Sequence, residues 1–153
     1  GSGRVLVDCG LFQGLKRLRE RNWQRPLVDL ISVEAIVLTH AHLDHTGYLP
    51  VLAREGFRSP VYCTRATRDL LKILLPDSAR IQEEEAEYAN RRGFSKHRPA
   101  RPLYTLEDAE TALRLLRPVE WSAGVEPING TTVHFSPAGH LLGAASVLLK
   151  TAN

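Results

Sequence analysis

The feature that most limits what this chain can become is an eleven-residue stretch, VLTHAHLDHTG, from Val37 to Gly47. Three of the six histidines and an aspartate fall within the six positions His40–His45. The run before them, EAIVLTH, is apolar and β-branched and reads as a buried strand. The segment after, DHTGYLPVLAREG, reads as a short helix closed by Gly56. In extended backbone, residues i and i+2 point the same way, so His40 and His42 can reach one metal ion. Asp44 and His45 come as the chain turns, point elsewhere, and can serve a second ion beside the first. Imidazole and carboxylate donors suit zinc, with bonds of about 2.0–2.2 Å. The spacing therefore fits a two-metal site better than one tetrahedral ion. His134 lies inside an expected strand and is assigned to structure. His97 lies in a basic loop, where a surface or substrate-contact role stays open.

Strands alternate with helices along most of the chain. RVLVDC, PVYCT, TVHFSPA and ASVLLKT read as further strands, the last two separated by the loop GHLLG. GLFQGLKRLRERNWQRP reads as a loop with some helical character. RATRDLLKILL reads as a helix capped by Thr64 and interrupted by Pro76. DSARIQEEEAEYANRRG reads as a second, more polar helix ending at Gly93. TLEDAETALRLLRP reads as a helix with a capping box at Thr105 and Asp108, and Pro118 after its end. The pattern is that of an α/β protein.

With 43% apolar and 24% charged residues in 153, the chain can bury a real core and is not a disordered one. No apolar run approaches the roughly 18 residues of a membrane span. Two cysteines make no disulfide framework, so a reducing, cytoplasmic setting is the default expectation. The net charge of +3 is unevenly spread. Leu15–Arg25 holds Lys16, Arg17, Arg19, Arg21 and Arg25 against Glu20 alone. Arg91–Arg101 holds five basic residues, His97 and no acid. Such clusters can contact phosphates, or simply form solvated surface.

THAHLDHTG resembles the metal signature of the metallo-β-lactamase superfamily. VLVDCG resembles its first motif and SPAGHLLGAAS its third. The resemblance implies that His40, His42 and His140 hold a first zinc, that Asp44 and His45 hold a second and carry catalysis, and that Asp8 orients the ligands. It also implies a partial αββα sandwich of mixed sheets with outer helices. DCGLFQG, GYLPVL, PVYCTRAT and AGHLLGAAS resemble the β-CASP branch, relatives of ribonuclease J and of the mRNA 3′-end-cleaving subunit. The 95 positions from His45 to His140 suit that branch as well. The expected function is zinc-dependent hydrolysis of phosphodiesters in single-stranded RNA, endonucleolytic, 5′-3′ exonucleolytic or both. One alternative is another hydrolase of the same fold, acting on thioesters, lactones or β-lactams. Another is a catalytically inactive RNA-binding subunit, although every motif residue named stands here.

GSG and TAN have turn composition directly beside strands. Residues 1–153 are therefore expected to be the N-terminal half of an incomplete metallo-β-lactamase domain, although a cleaved tag also leaves Gly-Ser. By the resemblance, a metal-bridging aspartate, a distal histidine and the β-CASP insert would belong to a longer chain. The expected consequences are a second metal site short of ligands, weak or absent activity of this piece alone, and open strand edges that invite homodimerisation.

Overall fold

The structure, a computed structural model, describes residues 3–26 and 28–151. The turns expected at residues 1–2 and 152–153 lie outside them. Four parallel strands form one sheet in the order β1 (Arg4–Val7), β2 (Val33–Val37), β3 (Val61–Thr64) and β4 (Leu116–Val119). Three antiparallel strands form the other: β5 (Val125–Ile128), β6 (Thr131–Pro137) and β7 (Ala145–Thr151). Each described sheet is thus uniform, one parallel and one antiparallel, rather than mixed. β1 and β7 both occupy sheet edges.

The alternation of side chains along β2 explains the layering. Ile36 faces a core shared with the helices, together with Leu38, Val61, Cys63, Leu71, Leu75 and Tyr104. Val37 faces the opposite way and packs with Val133, Phe135 and Ala145 of the second sheet. After α1 (Lys16–Arg19) and α2 (Leu43–Thr46), helices α3 (Leu49–Arg54), α4 (Arg65–Arg92) and α5 (Leu106–Leu113) cover the parallel sheet. The outer face of the antiparallel sheet, where His134 stands opposite Leu148, carries no helix among the described residues. Three of the four layers expected of an αββα sandwich are therefore present.

Several elements depart from the sequence expectation. The single helix expected after His42 is two short ones, α2 (Leu43–Thr46) and α3, broken at Gly47–Tyr48. The two helices expected around Pro76 are one 28-residue helix, α4, with Pro76 inside it. An interior proline costs about 3 kcal/mol. Here the buried stripe of Leu71, Leu75 and Ala79 runs past it on one face and holds both halves to the same core. Thr64 caps the helix by accepting from Thr67 N–H, and Gly93 ends it at φ 68°. α5 has the expected capping box but stops at Leu113, because Leu115 O accepts from Val61 N–H at 3.0 Å and draws the next residues into β4. Pro118 falls within that strand, an edge position where its missing N–H does no harm. β5 had no sequence assignment. Its four residues VEPI are short and contain proline, but the Asn129–Gly130 turn that joins them to β6 is a hairpin signal.

Candidate metal centre

β1 and β2 are parallel neighbours, so the segments leaving their carboxyl ends emerge side by side. Asp8 follows β1 directly, with φ 59°, and its N–H donates to Val37 O at 2.9 Å. An aspartate tolerates this left-handed conformation better than most residues. It turns the carboxylate toward the segment after β2. There Oδ1 accepts from Thr39 N–H and Oδ2 from Thr39 Oγ1, both at 2.7 Å. Oδ2 also accepts from His45 Nδ1 at 2.7 Å.

β2 ends at Val37, and the chain bends at Thr39 and again at Ala41. The simple i, i+2 alternation expected of His40 and His42 does not hold across those bends. The two histidines still converge, but with different nitrogens: His40 Nε2 lies 3.1 Å from His42 Nδ1. His140 arrives from the loop between β6 and β7, 98 positions later, and places its Nε2 3.2 Å from the same His42 Nδ1. The three ligand atoms lie within 4.8 Å of one another. Two nitrogens about 2.1 Å from a common tetrahedral ion stand about 3.4 Å apart, close to these spacings. His97 and His134 are not part of the cluster.

Asp44 and His45 do not join the three nitrogens. They form a neighbouring pair, Asp44 Oδ2 lying 3.8 Å from His45 Nε2. The His45 ring leans on that of His40, centroids 4.0 Å apart.

The tautomers follow from the hydrogen bonds. Thr39 spends its hydroxyl proton on Asp8, so its oxygen accepts from His40 Nδ1 at 3.0 Å. That leaves the lone pair of His40 on Nε2, facing His42. Likewise His45 keeps its hydrogen on Nδ1, against Asp8, and presents Nε2 toward Asp44. Protonation is not the natural answer to this crowding at His40. Burial lowers its pKa, the charges of His45, His42 and His140 lower it further, and only Asp8 opposes them. Three ring nitrogens drawn to one point, with burial disfavouring the charged form of His40, form a donor set suited to a metal cation.

Two glycines build the centre without contributing a side chain. A Cβ on Gly10 would lie 1.5 Å from Asp44 O, so nothing larger than glycine lets the loop after β1 meet α2. Cys9 N–H donates to His45 O at 2.7 Å and Leu11 N–H to Leu43 O at 2.9 Å, closing that contact. Gly143, at φ 82°, lets the His140 loop lie against the start of α4. Its carbonyl accepts from Thr64 Oγ1 at 2.7 Å and Thr67 Oγ1 at 3.0 Å. Sequence reasoning singled out neither glycine nor Thr39. Their signal was present, since each lies inside or beside a motif already noted, but their role depends on contacts between distant segments.

A beta-lactamase superfamily domain family matches residues 3–135, a span that stops short of His140. Ribonuclease TTHA0252 of Thermus thermophilus is 41% identical over 151 residues, which is 98% of this chain and 30% of that protein. Transcription termination factor FttA of Methanocaldococcus jannaschii is 35% identical over 144 residues, 93% of this chain and 20% of that protein. The chain thus spans less than a third of the length of these curated relatives. Among solved structures, MEM-A1, a subclass B3 metallo-beta-lactamase from a soil metagenome library, aligns with 99% of this chain and 48% of its own. The TM-score is 0.55 at 18% identity, a likeness of fold alone.

Proposed function

Because this chain belongs to the β-lactamase superfamily and, by the relatives it matches, to the β-CASP branch, we propose that it carries the metal centre of a ribonuclease that hydrolyses phosphodiester bonds in single-stranded RNA. In this reading residues 1–153 are the first part of a larger metallo-β-lactamase domain. The coverage of the relatives and the three-layer architecture support that.

The observation that carries the proposal is the convergence of His40 Nε2, His42 Nδ1 and His140 Nε2 beside the pair Asp44–His45. The three imidazoles would hold one zinc ion. Asp44 and His45, the pair proposed to carry catalysis, would contribute to a second. Bound zinc would bring the pKa of a water toward about 7 and offset charge gathering on phosphate oxygens. The chain's own work is positional. Asp8 keeps the hydrogen of His45 on Nδ1, and Thr39 keeps that of His40 on Nδ1. Both rings then present Nε2 without a rearrangement during the reaction. The choice of RNA as substrate rests on the relatives' names, one a ribonuclease and one a transcription termination factor. A cytoplasmic setting accords with two free, buried thiols. Among the described residues no helix is long and apolar enough to cross a membrane.

The test is metal analysis of this chain together with cleavage of a fluorescent single-stranded RNA by the longer protein that contains it. Zinc should co-purify, and cleavage should vanish with a chelator and in His42→Ala. A zinc-loaded protein that leaves RNA intact but hydrolyses a thioester, lactone or β-lactam would replace this reading with that of another hydrolase of the fold.

A further inference from the structure

Half of the twenty Lys and Arg residues lie in two eleven-residue segments, Leu15–Arg25 and Arg91–Arg101. About seventy positions separate them, yet the fold brings them to one place. Trp23 from the first segment and Lys96, His97, Arg98 and Arg101 from the second line a hollow of about 700 Å³. Two further hollows adjoin it and meet at Trp23. One runs past Lys16 and Arg19 to Phe12, the other past Tyr88 and Phe94.

The aromatic side chains here are not core. Trp23 is 61% exposed and Phe94 65%. They are interleaved with guanidinium groups: Arg21 lies 4.5 Å over the Phe12 ring, Arg92 5.6 Å over Tyr88, and Tyr88 meets Phe94 edge-on at 5.8 Å. The acids on the lining are Glu20, paired with Lys16 at 3.8 Å, and Glu85. An apolar protein partner would use the rings but would have to desolvate the cations. Exposed rings spaced among cations suit a polyanion with flat bases.

We propose that this groove, centred on Trp23, is a binding track for single-stranded RNA, with bases stacked on the exposed rings and phosphates held by Lys96, Arg98 and Arg101. It rests on the ribonuclease reading and extends it. The Phe12 end of the groove lies two residues from Gly10, whose backbone packs against Asp44 of the metal centre. A track of this kind reads no base edges, so it is tolerant of sequence and sensitive to salt.

The test measures binding of a fluorescein-labelled twelve-residue oligouridine by anisotropy, in EDTA so that no metal-dependent cleavage occurs. Trp23→Ala should weaken binding about tenfold. Replacing both Arg98 and Arg101 by Gln should lower the slope of log K against log salt by about 1.4, since each phosphate contact on a single strand contributes about 0.7. All three positions are exposed, so melting temperature and zinc content should match the parent. Unchanged affinity and slope in both variants would place RNA elsewhere and overturn the track, while leaving the nuclease reading intact. Unchanged RNA affinity with an altered mass in light scattering would make the groove a protein interface, and would overturn it equally. A longer protein containing this chain that binds RNA through the groove but never cuts it when zinc-loaded would defeat the nuclease reading and leave the track standing.

Discussion

The Asp8 carboxylate accepts a hydrogen bond from His45 Nδ1 at 2.7 Å, across 37 positions of chain. The same carboxylate takes both hydrogen bonds that Thr39 offers. One side chain from the end of β1 therefore fixes groups on both sides of the proposed two-ion centre. Asp8→Asn would confront those three donors with one acceptor oxygen and an amide nitrogen that cannot accept. Asparagine tolerates the left-handed backbone, so the fold should survive. Metal affinity should fall by about 10–100-fold, the usual effect of losing such an outer partner. Competition against a chromophoric chelator measures it, and an undiminished affinity would remove Asp8 from this role.

Thr39 Oγ1 stands between Asp8 and His40 Nδ1, donating to one and accepting from the other. Thr39→Val keeps the shape and removes both bonds, whereas Thr39→Ser keeps both. The expected result is about a tenfold loss of metal affinity in the valine variant, with the serine variant close to the parent. Equal losses in the two would mean that bulk, not the hydroxyl, matters at this position.

Metal and fold should separate under mutation. Leu38 is fully buried beneath the helices, one residue past β2. Leu38→Ala should cost about 2–5 kcal/mol in chemical denaturation while the purified protein still binds zinc. His42 is exposed, so His42→Ala should empty the three-nitrogen site and change stability little in the metal-free protein. Zinc content by atomic absorption, paired with denaturation in a chelator, distinguishes the two. Full zinc content in His42→Ala would break the ligand assignment.

The two thiols should be silent in the native state. Burial pushes Cys63 up to about 12, against a partial opposing effect of the Arg68 charge. Burial likewise raises Cys9, and the neighbouring Asp8 charge adds to it. Thiolate is the reactive form, so neither should react with an aromatic disulfide reagent at pH 8 until the chain is unfolded. Because the folded pKa values lie above the ordinary value of 9.0, the stabilisation is complete below that pH. It is lost as the pH rises toward the folded values. Rapid labelling of folded protein at pH 8 would contradict the burial of these residues.

The metal centre was legible in the sequence to the extent that it is local. His40, His42, Asp44 and His45 lie within one turn, and their spacing alone suggested two ions. Asp8 and His140 entered only through resemblance, since no local pattern says which distant residue closes a site. The bends at Thr39 and Ala41, which make His42 use Nδ1, follow from the docking of α2 on the loop after β1 and could not be read from alternation. The long helix α4 misled for a related reason. Pro76 is a correct local signal for a break, and the buried stripe of Leu71, Leu75 and Ala79 overrode it. β4 was hidden because LLRP continues a helical pattern in sequence and becomes strand only through pairing with β3.

Gly143 offers the sharpest test of how the His140 loop is held. Its φ of 82° is costly for any other residue, and a Cβ there would lie 2.6 Å from Thr67 N and 2.8 Å from Thr64 Oγ1. The carbonyl of Gly143 takes hydrogen bonds from both threonine hydroxyls. Gly143→Ala must therefore push the loop off the start of α4, and His140, three residues earlier, moves with it. The expected outcome is at least about a tenfold loss of metal affinity with all three histidines still in the chain, since misplaced donors bind poorly. A stability loss of about 1–3 kcal/mol should accompany it. Gly56→Ala provides the control. Gly56 has φ 104° but nothing within 4 Å of its added carbon, so it should show backbone strain without metal loss. If Gly143→Ala bound metal as tightly as Gly56→Ala, the contact with Thr64 and Thr67 would have no part in placing His140.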